Sequence, residues 1–228
     1  MNKPSLDKRL LSVASFVREG AFVCDIGTDH AYLPVYLVLI GRATRALASD
    51  INKGPVERAK NSVSKYGVSD KIDVILSAGL DGAADYPVTD IIIAGMGGEL
   101  IASILEDAKW TQNEKYRLIL QPMTHPEILR EYLVDNGFEI KDEDIVSEKD
   151  GKIYQIICAE FGEPQNDYTA DELLLGRHNI RKGGKDFSLL CERTRKINLD
   201  IKTAKEKAGQ PTTAEDEMIA ITEKYLNT

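Results

Sequence analysis

The segment Asp25-Ile26-Gly27-Thr28-Asp29-His30-Ala31 closes a short apolar run, AFVCDI, and opens into a helical pattern, so a glycine turn flanked by acids stands at the carboxyl end of a strand. Where strands alternate with helices, that position receives nucleotide-like ligands, because a glycine turn lets backbone amides approach them closely. A dinucleotide fingerprint needs glycines spaced G-x-G-x-x-G, and here Asp29 stands where the second glycine belongs. A pyrophosphate would meet that carboxylate as an uncompensated like charge, whereas a cationic ligand would be favoured by it. The next strand ends at Asp50, an acid placed to accept both hydroxyls of an unphosphorylated ribose. A third ends in Ser77-Ala78-Gly79-Leu80-Asp81-Gly82 and a fourth in Ala94-Gly95-Met96-Gly97-Gly98. Four successive strand ends therefore carry the small or acidic residues that a buried nucleoside touches. The plainer alternative is that Gly95, Gly97 and Gly98 only permit a positive φ in a tight turn.

The elements that must hold these residues follow from hydrophobic periodicity. Short β-branched runs at 21–26, 43–50, 71–77, 89–95 and 116–121 alternate with helical patterns at 31–40, 55–66, 99–107 and 126–136, the last closed by Gly137. A final pair near 138–147 and 152–161 is joined across an Asp150-Gly151 hairpin signal. The expectation is a doubly wound α/β fold, a seven-stranded sheet with one antiparallel member. After Phe161, residues 162–166 read as a linker and the rest as helix, with two antiparallel helices over 168–206 broken at Gly183-Gly184 and a short helix near 213–226. This divides the chain into a ligand-binding catalytic unit, 1–162, and a helical, coiled-coil-like unit, 167–228.

Composition narrows the class. With 228 residues, 43% hydrophobic and 29% charged, the chain can bury one sizeable core plus an appendage. No apolar run approaches the ~20 residues of a bilayer span, and the N-terminus MNKPSLDKRL lacks an apolar signal core, so a soluble cytoplasmic protein is expected. Cys24, Cys158 and Cys191 are far apart, which suits reduced thiols, and His125 and His178 have no companions at ligand spacing, so no metal site is expected. The net charge of -8 argues against a protein that coats nucleic acid all over. Residues 177–207 nevertheless hold ten basic residues against four acidic ones, so any polyanion would be steered toward this segment and away from the acidic remainder.

DIGTDHAYLP at 25–34, ASDIN at 48–52, DIIIAGMGGELI at 90–101 and LQPM at 120–123 resemble the bacterial tRNA adenine-N1 methyltransferases that act on A22, with matching order and spacing along the first 160 residues or so. The resemblance implies a class I methyltransferase-like (Rossmann-like) sheet, S-adenosylmethionine as methyl donor and tRNA as substrate. It further implies that Asp25, Gly27 and the Asp29 turn lie near the methionine moiety, Asp50 and Ile51 at the ribose, Gly79 and Leu80 at the adenine, and Gly95 and Met96 beneath the reacting centre.

Adenine N1 carries a free in-plane lone pair once unpaired, so it attacks a sulfonium methyl without first losing a proton, and no strong general base is required. The enzyme must extrude the base, align N1 with the methyl, and face the developing cation with negative or dipolar groups. Asp29 is the first candidate for facing the cation or accepting the adenine N6 hydrogens; its alternative is a helix N-cap on the amides of Ala31 and Tyr32. His30 is a candidate for positioning substrate or the donor carboxylate, against an ordinary satisfied polar residue. Gln121 is a candidate for reading an adenine edge, against a strand-end loop stiffened by Pro122. Tyr32, Met96 and Met123 either stack on a base or line a core. Within the basic run, Arg177, Arg181, Lys182, Lys185, Arg193 and Lys196 are the candidate tRNA contacts, against a salt-bridged solvated face. Competing readings are a dinucleotide oxidoreductase, which lacks its second glycine, a non-catalytic RNA-binding adaptor, and a methyltransferase with another substrate.

Overall fold

The structure, a computed structural model, describes residues 3–163 and 167–227; Pro164, Gln165 and Asn166 of the expected linker lie outside them. Seven strands, β1 (Ala21–Ile26), β2 (Ala43–Asp50), β3 (Ile72–Leu76), β4 (Asp90–Met96), β5 (Arg117–Pro122), β6 (Phe138–Ser147) and β7 (Ile153–Phe161), form one sheet of order β3-β2-β1-β4-β5-β7-β6. β1 to β5 are mutually parallel and β7 runs antiparallel to both β5 and β6, as the strand pattern predicts. The side-chain period of two sends Leu47, Ile91, Ile93, Leu118 and Leu120 into one apolar layer and Val23, Ala46, Ala48, Ile92 and Ile119 into the other. Both faces are covered by helices, which is why the central strands are apolar throughout rather than alternating. Between β1 and β4 the strand order reverses, and this opens a crevice at the carboxyl edge where β1, β2, β3 and β4 all end.

Helices α2 (Tyr32–Leu39), α3 (Lys53–Lys65), α4 (Gly98–Asp107) and α5 (Pro126–Asp135) match the expected segments to within two residues at each end. The helix α1 (Lys8–Ser15) precedes them and was not expected. Its signal is present in the sequence: Asp7 caps it by accepting from the Leu10 amide at 2.7 Å, and Leu10, Val13, Ala14 and Val17 give the helical apolar spacing.

The C-terminal helices depart from expectation. Gly183-Gly184 does break the chain, but it separates the short α6 (Ala170–Leu175) and α7 (Arg177–Lys182) from a single long α8 (Lys185–Lys207), and the antiparallel partner of α8 is α9 (Thr213–Leu226). The apolar residues set the outcome: Phe187, Leu190 and Cys191 face Met218, Ile221 and Tyr225, with the Phe187 and Tyr225 rings edge to face at 5.7 Å. The helices are tied to the sheet by Arg130 of α5 and Glu143 of β6, both fully buried, whose Nε to Oε1 distance is 2.7 Å. Arg130 also donates to Gln155 of β7 and to the carbonyls of Leu173 and Leu174 at the end of α6, while Glu143 accepts from the His178 amide of α7.

Candidate active site

The turn after β1 is built by backbone. The amides of Gly27 and Thr28 both donate to the Ser49 carbonyl, at 2.8 and 2.9 Å, which draws the turn toward the end of β2. Gly27 has φ +76°, a backbone angle that demands glycine, and a Cβ there would also displace the Met96 methyl group. The Thr28 hydroxyl accepts from the Ala31 amide at 3.1 Å, and it, not Asp29, serves the start of α2. The capping alternative for Asp29 is thereby removed.

Beside this turn lies a cavity of about 330 Å³ between the ends of β1 to β4 and the exposed face of α4. Asp50, Ile51, Gly79 and Leu80 from the strand ends and Leu100, Ser103 and Ile104 from α4 line it, together with Gly27 and Met96. Asp50 gives Oδ1 to the Asn52 amide at 2.7 Å and keeps its second oxygen without a hydrogen-bond partner among the described residues. Six expected ligand-binding residues thus come together here, while Asp25 and Gly95 do not line the cavity. Asp25 lies beneath it inside β1, where burial pushes its carboxyl up to about 6 against the opposing effects of the Thr28 hydrogen bond and the Arg9 charge. The α4 wall was missed, although Leu100, Ser103, Ile104 and Asp107 fall at helical spacing, Ile104 at the margin of the core and the others outside it.

Gln121 requires a correction. Its side chain is fully buried, its Oε1 accepts from Arg9 Nη1 at 2.7 Å and from the Gly95 amide at 3.1 Å, and its Nε2 donates to the Pro122 carbonyl at 2.9 Å. With the amide consumed on both ends, it cannot read a base edge; it holds the Gly95 turn instead. The same turn is fastened from the far side, where the Met123 amide donates to Met96 O at 2.7 Å and the Gly98 amide to Thr124 O at 2.8 Å.

Asp29 follows the Gly27 turn and is exposed, bound by the Arg58 guanidinium of α3 and 3.3 Å from His30 Nε2. His30 in turn stacks on Tyr32, with centroids 5.0 Å apart and planes 12° from parallel, and Tyr32 keeps 41% of its surface exposed. The segment after β1 therefore presents an acid, an imidazole and a flat aromatic face side by side. All three cysteines are buried, and burial pushes the Cys191 thiol up to about 11, the Cys158 thiol up to about 12 and the Cys24 thiol higher still, so none offers a thiolate. Among the described residues, no group of three or more His, Cys, Asp or Glu side chains could hold a metal ion, and no helix is long and apolar enough to cross a membrane.

Residues 6–157 match the family described as a methyltransferase domain. The tRNA (adenine(22)-N(1))-methyltransferase of Bacillus subtilis is 43% identical over 176 residues, covering 77% of this chain and 74% of that protein. The chain belongs to the tRNA (adenine(22)-N(1))-methyltransferase family. Solved structures agree: the B. subtilis m1A22 tRNA methyltransferase TrmK superposes with TM-score 0.82 and 34% identity, covering 98% of this chain and 96% of that one. M. capricolum TrmK, solved with S-adenosyl-homocysteine, superposes with TM-score 0.82 and 26% identity, covering 97% of this chain and 98% of that one.

In this member of the tRNA (adenine(22)-N(1))-methyltransferase family, the basic run is more nearly neutral than its sequence implies. Residues 167–228 hold eleven basic and eleven acidic side chains, and folding pairs many of them: Arg195 with Glu223, Lys202 with Asp216, Lys205 with Glu215. Arg177 requires a second correction as a candidate RNA contact. It is buried, donates to Glu172 and Asp167, and lies 3.8 Å over the Tyr168 ring, so it is a structural cation. Lys182 is held by Asp142 and the Glu143 carbonyl, and Arg193 reaches the Gly151 carbonyl at 3.3 Å. Arg181, Lys185 and Lys196 have no ion-pair partner among the described residues, and the 11-residue spacing of Lys185, Lys196 and Lys207 sets these three along one stripe of α8.

Proposed function

We propose that this protein transfers the methyl group of S-adenosylmethionine to N1 of adenine 22 in tRNA, with residues 1–162 as the catalytic unit and 167–228 guiding the RNA. The observation that carries this reading is the cavity at the carboxyl edge of the sheet, nucleoside-sized and bordered by a carboxylate with one free oxygen, in a chain 43% identical to an enzyme of that activity. The residues fit an adenosine: Asp50 accepts from the ribose hydroxyls, and Ile51, Leu80, Leu100 and Ile104 supply apolar faces for the base. When bound, the donor supplies an electrophilic methyl on a positively charged sulfur.

Chemistry then asks little of the protein beyond placement. The N1 lone pair forms the new bond as the carbon–sulfur bond breaks, and positive charge passes from sulfur to the base, so neither a proton acceptor nor a nucleophilic side chain is required. The Gly95–Met96 turn, pinned by Gln121 on one side and Met123 and Thr124 on the other, gives a rigid floor for the reacting atoms. Asp29, with His30 and Tyr32 beside it, faces the position from which a flipped base enters and offsets the charge that develops on it. Arg181, Lys185 and Lys196 are the cations left free to meet tRNA phosphates.

The test is methyl transfer from labelled S-adenosylmethionine to unmodified tRNA transcripts, followed by primer extension. N1 methylation blocks base pairing, so a polymerase stop at one D-loop-side adenine is the expected result. Label without a stop would overturn the N1 assignment, and donor binding without label in tRNA would overturn the substrate.

A further inference from the structure

We infer that the glycine turn before α8 holds one ribonucleotide of the tRNA backbone, with its phosphate on the turn and its 2′-hydroxyl on Asn179; this rests on the tRNA reading above. The place is a second cavity, of about 210 Å³, bordered by β6, α7 and the start of α8. β7 is antiparallel to both β5 and β6, so β6 runs parallel to β5 and its carboxyl half, with Asp144 and Ile145, lies toward the sheet edge where β1 to β4 end. Three strand spacings, about 14 Å, separate β6 from β4 along that edge. A single tRNA spans this distance with ease, so one molecule can fill the cavity while its target base enters the crevice.

The cavity combines donors with acceptors. Gly183 and Gly184, at φ +57° and +87°, turn the chain into α8, and nothing lies within 4 Å of where a Cβ on either would stand, so the backbone there is open to a ligand. Gly184 brings no side chain to cap the 23-residue helix, whose first amides and positive end favour an anion. Lys185 adds a cation with no ion-pair partner among the described residues. Asn179 supplies an independent sign of a ligand. It borders the cavity at 1% exposure, its Nδ2 donates to the Leu175 carbonyl at 3.0 Å, and its Oδ1 has no partner among the described residues. A buried amide oxygen without a donor is costly, and an occupant that brings a hydroxyl removes that cost. The Gly183 amide donates to the Asn179 carbonyl at 2.9 Å, so Asn179 stands one helical turn before the glycine pair. Asp144 and Asp186 also border the cavity, each accepting from one serine hydroxyl, Ser12 Oγ at 2.5 Å and Ser147 Oγ at 2.6 Å. These carboxylates would repel a simple anion, and Lys182 and Lys185 a simple cation. A ribonucleotide unit answers both, because it joins a phosphate to a hydroxyl donor, and the hydroxyl is what DNA lacks.

The experiment is interference mapping on tRNA transcripts carrying phosphorothioate or 2′-deoxy substitutions at random positions, sorted by binding to the full-length protein. Wild type is expected to show one place, away from the target adenine, where a phosphorothioate and a 2′-deoxy substitution in the same or adjoining nucleotides each weaken binding about 3- to 10-fold, the worth of one hydrogen bond. Lys185→Gln should remove the phosphorothioate effect there and Asn179→Leu the 2′-deoxy effect, with other positions as in wild type. Retained S-adenosylhomocysteine binding marks both variants as folded. If Asn179→Leu does not fold, Lys185→Gln carries the test, because the phosphate it identifies must adjoin a ribose sensitive to 2′-deoxy substitution. Wild type without such a pair, or a pair that neither folded variant alters, overturns the proposal. Binding of adenosine monophosphate that Lys185→Gln abolishes, with no pair in tRNA, would give the cavity to a free nucleotide and overturn the RNA assignment. Wild type that binds no tRNA would overturn the tRNA reading itself and the proposal with it.

Discussion

Replacement of Arg130 by Met removes the cation that joins the helical appendage to the sheet. The partners left behind are specific: the Glu143 carboxylate, fully buried and keeping only the His178 amide among the donors described here, the Gln155 side-chain oxygen, and two carbonyls at the end of α6. Breaking a buried ion pair on one side costs about 3–5 kcal/mol, because the remaining charge cannot reach water. Against a total stability of about 5–15 kcal/mol, this is a large fraction. At about 2–4 °C per kcal/mol for a chain of this length, the melting temperature should fall by about 6–20 °C. Urea unfolding at pH 7 measures the loss directly. Arg130→Met with Glu143→Leu, which removes both charges, should recover most of it, since an apolar replacement of a whole buried pair is close to neutral. A single-variant loss below about 1 kcal/mol, or a double variant no better than the single, would refute the argument that an uncompensated Glu143 is what the fold cannot tolerate.

Asp29→Ala is expected to lower the rate of methyl transfer at least about tenfold while donor affinity stays within about twofold, measured by single-turnover kinetics and titration; equal losses in both would remove Asp29 from the chemistry. Lys185→Glu with Lys196→Glu should weaken tRNA binding and flatten its salt dependence, because unpaired cations are the ones that release counterions from phosphate; a slope equal to wild type refutes the contact. Asp25 gives a pH signature. Its folded carboxyl is raised by burial to about 6 from an ordinary 3.8, so the folded state prefers the protonated form, and stability is lost as pH rises between those values. The stability advantage of Asp25→Asn over wild type should therefore grow from pH 4 to pH 6 and level off above, reaching about 3 kcal/mol; a pH-independent difference in parallel urea series would show that Asp25 is not buried as a charge.

Much of the lining of the candidate cavity was legible from strand ends alone. Asp25, Gly27, Asp50, Ile51, Gly79, Leu80, Gly95 and Met96 all fall where a parallel sheet brings its carboxyl edge together, and six of them border one cavity. The α4 wall was not legible as part of that cavity, because it reaches the crevice from an element whose place in space depends on packing rather than on neighbouring sequence. Gln121 and Arg177 were misread for a related reason. Residue type announces capacity to bond, but whether a donor is free depends on what folding sets beside it, and for both side chains folding supplied partners from distant positions.

Short β-branched runs alternating with helical patterns, glycine turns and the spacing of acids by themselves determined the layered α/β sheet, the hairpin at Asp150-Gly151 and the acidic, glycine-rich strand ends, since these depend on interactions within a few residues or on a repeat that any parallel sheet imposes. The tertiary structure decided two further matters: that α8 pairs with α9 and not across Gly183-Gly184, and that much of the positive charge on α8 is neutralised. Each is a question of which long-range contacts win, and local sequence cannot settle that, because burial of apolar surface and pairing of charge are sums over the whole fold.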